Sequence, residues 1–575
     1  MRAQLEVTIG QCSSAGRKDA NQDFHGSLQP EGALLAAKGI ALAIADGIST
    51  SSLGATASET AVRSFLTDYY CTSEGWSVQS SGERVIAAVN SWMHAQNGRP
   101  LSDEERERGM ICTFSALVLK SRTAHLFHVG DGRIARLAGT NLESLTEAHR
   151  VSIGAGRSYL ARAIGMDRRV EIDYRRLAVE PGDLFLLSTD GIHDCLGDAE
   201  LAALIGSAGT LDAAAEAIVG AALEAGAQDN LTVQLVRIDS LPEGALDDLL
   251  GGEIELPPAP ILTPGSEFEG YRIERRIHAS ARSHVYLATD AQGRAVALKV
   301  PATEAGREQD RLRALMLEEW IARRIDNPHV LKAAPRTGSR SHIFSATDYV
   351  EGQTLAQWMA DHPRPELARV RSIIDQVAAG LLAFHKREML HRDLRPENIL
   401  VDAHGTARII DFGSVQVAGV DELAERGFED AAFAGTMQYG APELFLGHSA
   451  SPASDLYSLG VIAYQMLTGH LPYGPRVAAA TTRAAQRRLR YTPASEHNPD
   501  VPDWMDAAIA KAVSIEPARR YALLSEFTYD LSHPNGALTA PQARPLLVRQ
   551  PVRLWQAISA LLLALLLASL LADGA

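Results

Sequence analysis

Residues 389–413 read MLHRDLRPENILVDAHGTARIIDFG, and this stretch decides the second half of the chain. It places Asp393 in His391-Arg392-Asp393-Leu394, Asn398 five residues later, and Asp411 in Asp411-Phe412-Gly413. Upstream, Lys299 stands in VALKV, an apolar strand pattern, and Glu318 in LMLEEWIARRI, a helical pattern. A lysine buried in such a strand needs a counter-ion, and a Lys–Glu pair joining a strand to a helix can hold nucleotide phosphates. Downstream come Ala441-Pro442-Glu443, Asp455 in SDLYSLGVIAYQML and Arg520 in ARRY. The region begins strand-rich, from Tyr271 to Tyr349, and becomes helix-rich from Leu355 onward.

Over about residues 271–533 the set resembles the eukaryotic-like Ser/Thr protein kinases of bacteria. The resemblance implies a bilobal fold that binds ATP with Mg2+, and it assigns roles residue by residue. Lys299 would hold the α- and β-phosphates, fixed by Glu318. Asp393 would accept the proton of the substrate hydroxyl. Asn398 and Asp411 would hold Mg2+. Arg395, where the family commonly has lysine, would neutralise the migrating phosphoryl group. Thr347 would be the gatekeeper, and Asp348 to Val350 the nucleotide hinge. Asp455 would brace the catalytic loop, and Arg520 would pair with Glu443. Gly435-Thr436, with Tyr439 three residues on, points to Ser/Thr rather than Tyr specificity.

One part of the pattern is missing. The expected glycine-rich loop reads His278-Ala279-Ser280-Ala281-Arg282-Ser283-His284-Val285, with no glycine at any of its three glycine positions. Side chains there narrow the approach of backbone N–H groups to phosphate, although His278, Arg282 and His284 offer charge in exchange. Two readings stay open: an active kinase, or a nucleotide-binding pseudokinase. Between Ser414 and Gly435 the only Ser or Thr is Ser414, whereas Asp421, Glu422, Glu425, Glu429 and Asp430 crowd the segment. One of these acids is expected to pair with Arg392 in place of a phosphate.

The first half carries aspartates where apolar runs stop. They are Asp23 in NQDF, Asp46 in AIADG, Asp131 in HVGDGR, Asp190 in LLSTDG, Asp194 in GIHD and Asp229 in AQDN. Carboxylates converging at strand mouths repel one another unless a cation neutralises them, and oxygen-only ligands favour Mg2+ or Mn2+ over zinc. Two such ions can share a water, lower its pKa and aim it at phosphorus. In order, the runs GRKDANQD, AIADG, ICTFSALVL, FHVGDGRIARL, LTEAH, ARAIG, LLSTDGIHD and QDNLTV resemble the type 2C metal-dependent protein phosphatases, over roughly residues 5–240. That resemblance implies two antiparallel sheets face to face with helices outside. It also implies paired metals held by Asp23, Asp46, the Gly47 carbonyl, Asp190 and Asp229, with Asp131 and Asp194 at a third site. The substrate phosphate would meet Lys18, where the family usually has arginine, with Arg17 beside it. After Asp46-Gly47 the chain has Ile48, which cannot serve as an acid, so leaving-group protonation must come from elsewhere.

The remainder of the sequence frames these two halves. The 575 residues carry 55 Lys+Arg against 70 Asp+Glu, a net charge of −15, which argues against sequence-independent nucleic-acid binding. Cys12, Cys71, Cys112 and Cys195 form no metal-ligand spacing and suggest a reducing compartment. Residues 241–265 mix Pro, Gly and acids as a linker does, with a random-coil reach of roughly 25–30 Å. Leu554–Ala572 holds nineteen residues without a formal charge, about 28 Å as a helix, preceded by Arg544, Arg549 and Arg553. The expected fold class is multidomain α+β: a type 2C αββα sandwich (1–240), a linker (241–266), a bilobal protein-kinase fold (267–535), a juxtamembrane tether (536–553) and a C-terminal transmembrane helix (554–572). The expected setting is the cell inner membrane, single-pass, with the catalytic domains cytoplasmic. The expected partners are phosphoprotein substrates, the chain's own kinase domain among them.

Overall fold

The Ile40–Asp46 strand, IALAIAD, is buried on both faces until its last residue, so it must lie in the middle of layers rather than at a surface. In the computed structural model it does. The structure describes residues 4–49, 51–98, 109–152, 158–242, 245–250, 255–280, 283–302, 309–336, 338–423 and 438–539.

Two five-stranded antiparallel sheets make the first domain. One runs Glu6–Ser14, Leu231–Ser240, Leu184–Ser188, Arg133–Ala138, Asn141–Ser144. The other runs Asp173–Ala178, Thr123–Val129, Phe114–Lys120, Ile40–Asp46, Asp23–Leu28. A core of Leu42, Ile44, Leu117, Leu126, Phe185, Leu187 and Val236 lies between the sheets. On the outer faces, the Gly54–Cys71 and Val78–Gln96 helices close one core around Phe65, Phe114 and Phe127. The Asp198–Ser207 and Leu211–Glu224 helices close another around Ile218 and Val233. The result is the expected αββα sandwich.

The second domain has an antiparallel sheet in the order Glu267–Phe268, Tyr271–Ala279, Ser283–Thr289, Ala295–Pro301, Ser345–Asp348, with the Gln309–Arg324 helix beside it. The helical lobe is built around Leu367–His385 and Pro452–Thr468, whose buried residues share one core with Phe412, Ile509 and Phe527.

The linker is not the free coil its composition suggested. Ala245–Leu249 is helical, and Leu249 and Leu250 join Ala37 of the first domain to Leu312, Leu315 and Met316 of the Gln309–Arg324 helix. Arg313 donates to both carboxylate oxygens of Asp247, at 3.1 and 3.2 Å. Ala259 and Leu262 are buried in the core of the strand lobe. Two apolar residues and one acid are enough to seat a segment that otherwise reads as solvent-exposed. The random-coil reach therefore does not apply to these residues. Leu554–Ala572, with Arg544, Arg549 and Arg553, lies outside the described residues; among the described residues no helix is long and apolar enough to cross a membrane.

Candidate active sites

In the first domain Asp23 opens one strand and Asp46 ends its neighbour, and the antiparallel register sets them opposite each other. Asp23 is only 6% exposed. Its Oδ2 accepts hydrogen bonds from Thr189 Oγ1 at 2.9 Å and Thr232 Oγ1 at 2.7 Å. Gly47 follows where a Cβ would lie 2.2 Å from the Gly54 carbonyl oxygen, so no side chain fits there. Asp190 begins the short Asp190–His193 helix.

Two cations of the chain itself engage the acids. Arg150 donates to Asp131 Oδ2 at 2.7 Å, Asp190 Oδ2 at 2.7 Å and Asp194 Oδ2 at 3.2 Å. Lys18 pairs with Asp229 and also donates to Ser49 Oγ. Arg17 is exposed beside it. Among the described residues no three His, Cys, Asp or Glu side chains form a ready-made cage for an ion.

The acids nonetheless call for more positive charge than Arg150 and Lys18 supply. Asp23 Oδ1, Asp46 Oδ1 and Asp190 Oδ1 are buried with no hydrogen-bond partner. Burial, followed by the charges of Asp23 and Asp190, pushes the Asp46 carboxyl well above the usual carboxylate range. Burial, with Asp131 and Asp229 adding to it, raises Asp190 to about 7 although Arg150 pulls the other way. Buried carboxylate oxygens left bare fit a hard divalent cation.

In the second domain the acids carry their own counter-ion. Lys299 Nζ, on the Ala295–Pro301 strand, donates to Glu318 Oε2 at 2.7 Å and to Asp411 Oδ1 at 3.2 Å. Burial opposes the lysine's charge, but Glu318 and Asp411 outweigh it and raise its pKa. Asp411 sits at φ +65°, in the left-handed region. Burial would raise its carboxyl, yet Lys299 and the Gly413 N–H hold it below the ordinary value. Asn398 Nδ2 donates to the Asp393 carbonyl at 2.8 Å and to Asp393 Oδ2 at 3.2 Å. Arg395 Nε reaches Glu397 at 2.8 Å.

A buried acid fixes the loop that carries Asp393. Asp455 accepts from the His391 and Arg392 amides at 2.9 and 3.0 Å and from His385 Nε2 at 2.8 Å. Arg520 grips Glu443 with two hydrogen bonds, at 2.8 and 2.6 Å. Asp348 and Val350 flank Tyr349, whose amide meets the Ala295 carbonyl at 3.3 Å. The glycine-free turn is closed by Ser280 and Ser283, with Ser280 N donating to the Ser283 carbonyl at 2.9 Å. Ala281 and Arg282 lie outside the described residues, as do Glu425, Glu429, Asp430, Gly435 and Thr436. Glu422, expected as one candidate partner for Arg392, turns to Lys120 of the first domain instead, at 3.0 Å.

Sequence reasoning missed several residues. Arg150 reads as one more basic residue after LTEAH, and only the fold sets it among three acids. Asn230 stood inside QDN without a role. Its Oδ1 accepts from the Gln22 amide at 2.9 Å and its Nδ2 donates to the Ala15 and Ala20 carbonyls at 3.0 and 2.9 Å. It thereby holds the loop that carries Lys18 and leads to Asp23. Thr189 and Thr232, which fix the Asp23 rotamer, lie 166 and 209 residues from it.

Fold and geometry together define a bilobal kinase behind a carboxylate-lined sandwich of phosphatase type. Residues 271–530 match the protein kinase domain family and residues 12–235 the protein phosphatase 2C family. Serine/threonine-protein kinase PknJ of Mycobacterium tuberculosis is 32% identical over 274 residues, 47% of this chain and 46% of that one. Serine/threonine-protein kinase PknL of the same species is 31% identical over 277 residues, 48% of this chain and 68% of that one. The chain spans about half the length of the first curated relatives it matches. Among solved structures, the serine/threonine phosphatase of S. agalactiae is 24% identical with a TM-score of 0.36, covering 41% of this chain and 100% of that one. The phosphatase PstP/Ppp of Mycobacterium tuberculosis is 21% identical with a TM-score of 0.35, covering 40% of this chain and 99% of that one. The chain belongs to the serine/threonine protein kinase family and carries a protein phosphatase 2C domain ahead of its kinase domain.

Proposed function

We propose that the chain is a bifunctional enzyme, an ATP-dependent protein Ser/Thr kinase and a metal-dependent protein Ser/Thr phosphatase acting on phosphoproteins. The observation that carries the reading is that each domain assembles its own phosphate-handling set. Lys299, Glu318 and Asp411 are in contact in one domain, and the bare oxygens of Asp23, Asp46 and Asp190 gather in the other. In the kinase, Lys299 would orient ATP, Asp411 and Asn398 would hold Mg2+, and Asp393 would take the hydroxyl proton.

In the phosphatase, Asp23, Asp46, Asp190, Asp229 and the Gly47 carbonyl would hold Mn2+ or Mg2+, with Asp131 and Asp194 at a further site. Such ions supply an acidified water and polarise the phosphoryl oxygens. Lys18 would meet the substrate phosphate as a point charge rather than a fork. Arg150, which now bonds Asp131, Asp190 and Asp194, would have to release any of these acids that held an ion.

The glycine-free turn favours a second reading, a phosphatase governed by a nucleotide-binding pseudokinase. Labelled ATP with Mg2+ separates the two. With Asp46→Ala silencing the phosphatase, label on protein that vanishes in Asp411→Asn supports transfer. Bound nucleotide without label supports the second reading. Leu554–Ala572 would anchor the chain in a membrane; the reading rests on its uncharged length. Recovery of the full chain in the soluble fraction after lysis would overturn it.

A further inference from the structure

The loop between the Gly54–Cys71 and Val78–Gln96 helices of the first domain runs into the kinase beside its catalytic apparatus. Gly75 accepts a hydrogen bond through its carbonyl from the Gly419 amide, at 2.9 Å. A Cβ on Gly419 would lie 2.6 Å from the Trp76 carbonyl oxygen, and one on Gly75 would lie 2.8 Å from the Arg387 carbonyl oxygen. The two backbones meet as closely as two strands do, and only glycine permits it. Trp76 Nε1 donates to the Lys386 carbonyl at 2.9 Å. Ser77 donates through both its amide and its hydroxyl to Glu388, at 3.1 and 3.2 Å. Glu74 pairs with Arg324, at the end of the helix that carries Glu318.

At the centre of this contact lies Glu422, nine residues after the Asp411-Phe412-Gly413 run. Both its carboxylate oxygens accept from the Val78 amide, at 3.0 and 3.1 Å. That amide opens a nineteen-residue helix, whose N-terminal dipole favours the carboxylate. Lys120, 1% exposed at the end of the Phe114–Lys120 strand, donates to Glu422 at 3.0 Å and to the Gly419 carbonyl at 2.7 Å. On the kinase side the same segment is tied inward. Gln416–Val417 pairs with Met389–Leu390, the strand that leads directly into His391 and Asp393. Ala418 donates to the Glu388 carbonyl at 3.1 Å. The segment between Asp411 and Glu422 is thus pinned at one end by Lys299 and at the other by Lys120.

We propose that Lys120 and Glu422 are positioning residues of the kinase reaction. The phosphatase domain supplies the cation that holds the post-Asp411 segment, a service that loop phosphorylation performs elsewhere. The docked state is the competent one, because it coexists with the closed Lys299–Glu318–Asp411 contacts and the Asp455 brace. The inference rests on the kinase reading above, and its test is arranged to fail separately. Full-length protein is assayed for ADP formation with a Ser/Thr-containing peptide, a readout the phosphatase cannot reverse.

Glu422→Gln and Lys120→Met should each lower kcat about tenfold, the scale of one buried charge-assisted hydrogen bond, while KM for ATP changes little. Lys120→Arg should retain most of the rate. Hydrolysis of p-nitrophenyl phosphate by the first domain, unchanged in Glu422→Gln, shows that the chain is folded. A kcat within twofold of the parent in both neutral variants overturns the proposal. Amide exchange over residues 411–423 gives the second readout. Faster exchange in Glu422→Gln supports the pinning, and unchanged exchange overturns it, even if the parent protein forms no ADP and the kinase reading itself falls.

Discussion

Both domains bring several acids together at one place, but they balance the charge differently. In the kinase, Lys299 lies within hydrogen-bond reach of both Glu318 and Asp411, so the acid that would hold Mg2+ is kept ionised. In the phosphatase, Asp23, Asp46 and Asp190 face one another, and each keeps one oxygen bare. Their pKa values rise, chiefly through burial. One site carries its cation in the sequence; the other leaves three carboxylate oxygens without a partner. Arginine and lysine are permanent features of a chain, whereas a metal site can be filled or emptied, so chelation should change the stability of the first domain more than that of the second.

The comparison can be broken most decisively at Asp411. Asp411→Asn should lower phosphoryl transfer about a thousandfold while leaving phosphatase turnover intact. A parallel fall in both activities would mean that the two sites are not separate. Next in size is the buried ion pair Arg520–Glu443 in the helical lobe, another case in which the chain supplies its own cation. Arg520→Leu leaves Glu443 uncompensated and should cost about 3 kcal/mol of kinase-domain stability by denaturant titration. A cost near zero would show the pair to be dispensable.

The phosphatase acids should behave in the opposite sense. Asp46→Asn relieves like-charge repulsion and should raise the stability of chelator-treated protein by about 1–2 kcal/mol at neutral pH. Added Mn2+ should raise the Tm of the parent, as expected if Asp46 is a ligand, and should leave that of Asp46→Asn unchanged. A lower Tm in the chelated variant would show that the Asp46 carboxylate is already neutralised by the chain.

Much of this was legible in the sequence. The apolar runs that stop at Asp46 and just before Asp190 are the strands Ile40–Asp46 and Leu184–Ser188, because fully apolar runs have nowhere to go but between layers. The acids at strand ends and the kinase runs are short-range patterns, which a sequence displays directly. What escaped is long-range. Lys120 reads as the solvated end of a strand, yet its partner lies 302 residues away and the lysine is buried. Asn230 ties down a loop 208 to 215 residues upstream. Leu249 and Leu250 were hidden by the acids and glycines around them. No periodicity records a contact whose other half is in another domain.

The smallest prediction sharpens the comparison through two lysines, Lys299, which is half-buried, and Lys38, which is buried. Lys299 touches two carboxylates and its pKa is raised; Lys38 touches none. Lys38 Nζ donates instead to Thr72 Oγ1 at 2.7 Å, the Ser73 carbonyl at 2.8 Å and Ser81 Oγ at 3.2 Å, just behind the loop that enters the kinase. Burial and the neighbouring charge of Lys120 lower its pKa to about 7, with Glu74, Glu422 and Glu388 opposing from a distance. In the unfolded chain a lysine titrates near 10.5. Between about pH 7 and pH 10.5 the unfolded state therefore holds one proton more than the folded state, and stability rises with pH. The slope approaches about 1.4 kcal/mol per unit within that window and vanishes below it. Lys38→Met should flatten this component of the pH profile, measured by denaturant midpoints from pH 6.5 to 9.5. An unaltered profile would mean that three neutral oxygens are enough to keep a buried ammonium charged, and that carboxylate contact is not what separates the two lysines.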